Sequence, residues 1–189
     1  MRAILPLLLI AACSAPPPAA PQVLTLHSPA WLADAAAGWD PSAQPGVLHA
    51  TGRAPAGKDR EAASKQAEDA ARAQFEPRLA EAVGQLQRVF RDEHGSQLEP
   101  AQLDALAPDD AVSRTLILKS LSGARLKGQW VDDEAFWAWL ELDTLTTLLP
   151  AFEAELSARL APLARELTPA DHAAFAAALT AFVGEHGGK

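Results

Sequence analysis

Gly123-Ala-Arg-Leu-Lys-Gly-Gln-Trp-Val131, then Asp132-Asp133-Glu134, then Ala135-Phe-Trp-Ala-Trp-Leu-Glu-Leu-Asp143 is the stretch that decides the fold. Two runs that mix apolar residues, tryptophans among them, with polar ones flank an acidic turn, which is the pattern of an antiparallel hairpin. A three-residue turn sets Trp130 opposite Phe136, Gly128 opposite Ala138 and Leu126 opposite Leu140, and makes one wholly apolar face. The other face then carries Arg125, Lys127, Gln129, Val131, Trp137, Trp139 and Glu141. A two-residue turn would mix the faces, and because one face must be buried the three-residue register is expected.

Upstream, Gly46 to Gly52 reads as a short strand between turn residues. A long helix is expected from about Lys58 to Arg91. Ala63, Ala67, Ala71, Phe75, Leu79, Val83, Leu86 and Phe90 recur every three or four residues and form one stripe. Its first half buries only alanines, so a neighbour must approach that half closely. Pro77 should kink or split the helix. Leu98 to Pro108 reads as a loop with at most a helical turn. Asp109 or Asp110 can cap a helix reaching Leu121, with Val112, Leu116, Ile117 and Leu121 inward; a strand over Thr115 to Lys119 is the rival.

Downstream of Asp143, a second leucine and phenylalanine stripe runs from Leu145 to Leu167, and Thr168-Pro169-Ala170-Asp171 starts a further helix. The fold class is therefore α+β: a short antiparallel sheet packed on a long alanine-rich helix, followed by a C-terminal helical hairpin. The expected organisation is a signal peptide over 1–12, a Pro-rich tether over 13–30, the α+β domain over 31–143 and the hairpin over 144–189. Trp31 and Trp39 are candidates to dock on the domain.

The N-terminus carries an address. Arg2 precedes an apolar run from Ala3 to Ala12, too short to span a bilayer but proportioned like a signal-peptide core. Ile10-Ala11-Ala12-Cys13 resembles the lipobox of bacterial lipoproteins. The resemblance implies cleavage before Cys13, a diacylated thioether on its sulfur and acylation of the new amino terminus. Two or three chains anchor stably where one does not. Ser14 in place of the Asp that often holds lipoproteins at the inner membrane implies the outer membrane, facing the periplasm or the cell surface. Pro16, Pro17, Pro18, Pro21 and Pro29 favour extended backbone that would hold the domain clear of the lipid.

The order of the pieces resembles the 20-kDa membrane-associated lipoprotein family (LPP family), whose domain is also similar to one in flagellar-assembly lipoprotein-like proteins. Three parts carry the likeness: the strand Val47 to Gly52, the helix Ala63-x-x-x-Ala67-x-x-x-Ala71-Arg72 followed by Phe75, and the turn and two strands from Leu121 to Asp143. It spans about Gly46 to Asp143. The resemblance implies a small α+β module with a helix on an antiparallel sheet, and it brings no catalytic residues. The helices after Asp143 are not part of its pattern.

Composition narrows the function further. The chain has 189 residues, a net charge of −8 and one cysteine. A lone Cys excludes a disulfide framework and a cysteine-based zinc site. The acidic balance disfavours nucleic acid, which needs basic surface. Histidines 27, 49, 94, 172 and 186 are scattered with no ligand spacing, and no serine sits in a nucleophile motif. No enzyme activity, cofactor or metal is expected. The candidate binding face is the second face of the hairpin, above all Arg125, Lys127, Trp137 and Trp139. Two Trp beside two cations can stack sugar rings, receive a partner strand or form a contact between copies. The competing expectation is that the C-terminal stripe covers that face. The leading expectation is a membrane-anchored envelope lipoprotein acting as a non-catalytic protein-interaction or structural module, open to homo-oligomer formation. The alternative is a glycan or peptidoglycan binder using the Trp-bearing face.

Overall fold

A computed structural model describes residues 28–34, 44–106 and 109–186. Cys13, the leader, most of the tether and Trp39 lie outside the described residues. The architecture is α+β, as the sequence predicts. Strand β1 (Val47–Pro55) is followed by helices α1 (Arg60–His94), α2 (Pro100–Leu106) and α3 (Asp110–Leu121). Strands β2 (Arg125–Val131) and β3 (Ala135–Asp143) come next, then helices α4 (Leu148–Leu160) and α5 (Pro169–His186). Short 3-10 turns occur at Ala30–Leu32 and Ala161–Leu163. The sheet is antiparallel throughout, in the order β1-β3-β2.

Helix α1 is the spine. Asp59 caps it, its carboxylate accepting from the Ala62 N–H. Its alanine half lies on the sheet: Ala67 and Ala71 are fully buried, and opposite them Gly52 of β1 has no room for a side chain. A β-carbon at position 52 would fall inside the envelope of the Ala67 carbonyl oxygen and the Ala71 nitrogen. The alanine stripe thus means a backbone-to-backbone approach. The larger half, Phe75, Leu79, Val83, Leu86 and Phe90, continues the same core, where each buried Phe or Leu contributes about 1.5–3 kcal/mol. The helix passes Pro77 without a break. Pro77 is exposed, so the carbonyl that loses its amide partner faces water rather than the core.

Helix α1 also closes one edge of the sheet. The bonds Thr144 N–H to Gly46 O and Ala56 N–H to Glu134 O show that even-numbered residues of β1 face β3. The carbonyls of His49 and Thr51 therefore point outward, and Arg78 and Gln74 of α1 donate to them. Arg72 likewise donates to the Leu121 carbonyl at the end of α3.

Two expectations need correction, and one choice between rivals is decided. Residues 100–106 form a helix rather than a loop: Pro100 occupies its first position and Gln102 reaches back to accept from the Glu99 N–H. Residues 115–119 are helical, as the leading reading has it and not the rival strand, with Leu116 and Leu121 buried and Val112 and Ile117 partly so. Helix α4 begins at Leu148 rather than near Thr144, because Asp143 first folds a turn by accepting from the N–H groups of Leu145 and Thr146. The α5 start matches the sequence: the Thr168 N–H and hydroxyl donate to Asp171.

The close approach at Gly52 yields a direct prediction. Gly52→Ala should destabilise by about 3 kcal/mol, the upper range for overpacking, since only backbone can give way. Gly57→Ala, in an open loop, should change stability by less than ~0.5 kcal/mol. Urea unfolding of both variants measures the contrast.

Candidate functional site

The hairpin register follows the sequence reading at one end and departs from it at the other. Arg125 pairs with Glu141 and Leu126 with Leu140 as predicted. A bulge at Lys127 then shifts the register, so that Gly128 meets Trp139, Gln129 meets Ala138, Trp130 meets Trp137 and Val131 meets Phe136. One extra residue exchanges the faces beyond it. Trp130, expected in the core, lies on the outer face beside Trp137. Gln129 and Val131, expected outside, turn to the α1 side. Gln129 becomes useful there: its side-chain amide donates to Ser64 and Glu68 of α1.

The outer face therefore gathers Trp130, Trp137, Trp139, His49, Arg53, Arg125, Lys127 and Glu141. Trp139 stacks with Trp31, centroids 6.0 Å apart, and with His49 at 5.6 Å. Trp31 lies over Gly128 of β2 while His49 belongs to β1, so Trp139 is flanked from both neighbouring strands. Trp31 thus docks on the sheet, as expected. The guanidinium of Arg53 sits 5.3 Å from the Trp137 ring centre and 3.4 Å from Glu134. The Trp137 indole N–H donates to Asp132, which also accepts from the N–H groups of Glu134 and Ala135 and so organises the turn. Lys127 is bridged to Glu141 at 2.9 Å; Arg125 is exposed.

The C-terminal hairpin does not cover this face. Helix α5 packs on α1, and α4 packs on α3 and α5, where Phe152 meets Phe175 edge to face. Their stripe is satisfied against α1 and the neighbouring helices, within the one core that also holds the inner face of the sheet. Trp130, Trp137 and Trp139 are each partly exposed. A cavity of about 740 Å³ opens at the Arg125 end, lined by Val47, Ser122, Arg125, Glu141, Asp143 and Thr146 among others. It sets one cation against two carboxylates and so selects no single charge of ligand.

Two His–carboxylate pairs escape a reading of local spacing. His94 of α1 and Asp171 of α5 lie 2.7 Å apart, and His172 and Glu153 also 2.7 Å apart. Both join segments distant in sequence. The His94–Asp171 pair is almost closed to solvent and fastens the end of α1 to the start of α5. Asp171's remaining oxygen is taken by Thr168, so the pair serves as a clip between helices. Among the described residues no group of three or more His, Cys, Asp or Glu could hold a metal ion, and no helix is long and apolar enough to cross a membrane. No family model, curated protein or solved structure matches the chain.

Two groups give stability a pH dependence. Burial of His49, 1% exposed, disfavours its charged form and outweighs the attraction of Glu141, so its pKa lies below 6.5. An unfolded chain takes up that proton first, so stability present above pH 6.5 should fall as the pH drops below it. Burial alone would raise the Asp171 carboxyl, but hydrogen bonds from Thr168 and His94 outweigh it and hold the pKa below 3.8. Its contribution is present above pH 3.8 and is lost as acid protonates the folded carboxylate. Chemical denaturation across pH should show both limbs. His49→Phe should flatten the first, and Asp171→Asn should remove the second.

Proposed function

We propose that the protein is a lipid-anchored envelope protein, held at the outer membrane through Cys13, that works as a non-catalytic interaction module. The anchor reading rests on the position of the only cysteine, directly after Ile10-Ala11-Ala12 and a short apolar run. The module reading rests on one geometric observation. Both C-terminal helices bury their apolar stripe against α1 and its neighbours and not on the outer face of the sheet, where Trp130 and Trp137 are partly exposed. Partly exposed aromatic surface beside cations is the composition of protein contact sites. The strand, alanine helix and Trp hairpin occur in the order of the lipoprotein family named above, which supports the same reading.

The alternative, a glycan binder, draws support from Trp130 and Trp137, which pair across strands on the open face. It loses Trp139 as a sugar platform, because Trp31 and His49 already flank that ring.

Cys13→Ser should abolish labelling by palmitate and move the protein out of the membrane fraction; unchanged labelling would contradict the anchor. A photo-crosslinking residue in place of Trp130 should capture a protein in intact cells. Trp137→Ala should weaken that capture about tenfold, or ~1.4 kcal/mol. Capture of peptidoglycan fragments instead of protein would favour the alternative.

A further inference from the structure

The two edges of the sheet are not equivalent. On β1, Gln74 and Arg78 already occupy the outward carbonyls of Thr51 and His49. On β2 the described residues place no element beyond the strand. The Asp132 N–H bonds to Ala135 O, so Asp132, Trp130 and Gly128 face β3, and Gln129 and Val131 direct their backbone groups outward. The large exposed apolar side chains of the described sheet, Leu126 at 42% and Val131 at 46%, both belong to this strand. An open edge of this kind templates the addition of another strand.

Charge selects the occupant. Arg125 and Lys127 stand at the start of β2, and Asp132, Asp133 and Glu134 follow its end. A strand that brought only acids or only bases would meet repulsion at one end. An antiparallel copy of the same hairpin brings the opposite sign to both ends, because a two-fold axis lays the basic start of each strand against the acidic turn of the other. We propose that the protein forms a two-fold homodimer through β2, with Gln129 of each copy opposite Val131 of the other. This register uses both outward residues of each straight segment and sets Lys127 beside the Asp133 of the second copy. It places the two Trp130 residues side by side on the outer face, as a close pair without backbone bonds between them. The bulge at Lys127 ends the pairing, so the contact is short. Assembly stops at two copies, because the remaining edges of the six-stranded sheet are those that α1 has closed. The inference rests on the interaction-module reading and names one partner for it. The membrane anchor would strengthen so short a contact by raising the effective concentration.

The test uses two differently tagged full-length copies, co-expressed and extracted in mild detergent. Wild-type copies should co-purify. Lys127→Glu on both copies should reduce co-purification at least about fivefold, and Asp133→Lys on both should do the same. One Lys127→Glu copy with one Asp133→Lys copy should restore it, since each contact then regains opposite charges. Both sites are exposed, and circular dichroism checks that the variants fold. On oxidation Trp130→Cys should give a disulfide-linked dimer and Arg53→Cys, on the closed side, should not. Absence of wild-type co-purification, equal loss in the mixed pair, or equal crosslinking at both positions would overturn the dimer. Loss of membrane anchoring would instead overturn the lipoprotein reading and leave the charge-swap result intact. Dimer failure with capture of another protein at Trp130 preserved would overturn the dimer alone.

Discussion

The contact between Gly52 and the alanine face of α1 is the constraint on which the rest of the structure depends. With no side chain at position 52 and only methyl groups at Ala67 and Ala71, the helix comes down onto the strand backbone. At that separation Gln74 and Arg78 can reach the outward carbonyls of β1, and Gln129 of the far strand can reach Ser64 and Glu68. A larger residue at any of these positions would lift the helix and release those bonds together. The short alanine side chains contribute little apolar area themselves; they set the distance at which other groups meet.

From that spine the two sides of the molecule diverge. Toward the sheet, α1 covers one face and closes one edge. Away from it, the phenylalanines and leucines of its second half share a core with α3, α4 and α5, and His94 clips the helix end to Asp171. The C-terminal hairpin thus finds its apolar partner without using the sheet, and the outer face keeps its tryptophans. The segment 28–34 meets the same face through Trp31, which stacks on Trp139.

Much of this was legible in the sequence. The periodic spacing of Ala63 through Phe90 marked α1 and its close approach, and Thr168 through Asp171 marked the start of α5. The hairpin's existence was plain, but its register was half right. Alternation of apolar residues can reveal which face is buried only where the pairing is regular, and the bulge at Lys127, marked in the sequence only by the neighbouring Gly128, exchanges the faces of Gln129 and Trp130. The reward for the bulge is tertiary: Gln129 finds partners on α1 some sixty residues away. Long-range pairing hid the His94–Asp171 clip for the same reason. The choice of the C-terminal hairpin between sheet and α1 was equally invisible, since its stripe would satisfy either surface.

The C-terminal helices pack away from the outer face of the sheet and leave Trp130 and Trp137 partly exposed to solvent. Hydroxyl-radical footprinting of the full-length protein, read by mass spectrometry, tests it most directly. Trp130 and Trp137 should be oxidised much faster than Phe75, Phe152 and Phe175, which are buried, even after allowance for the greater reactivity of indole. Protection of Trp130 and Trp137 to the level of the buried phenylalanines, reversed on removal of the helices after Asp143, would contradict it.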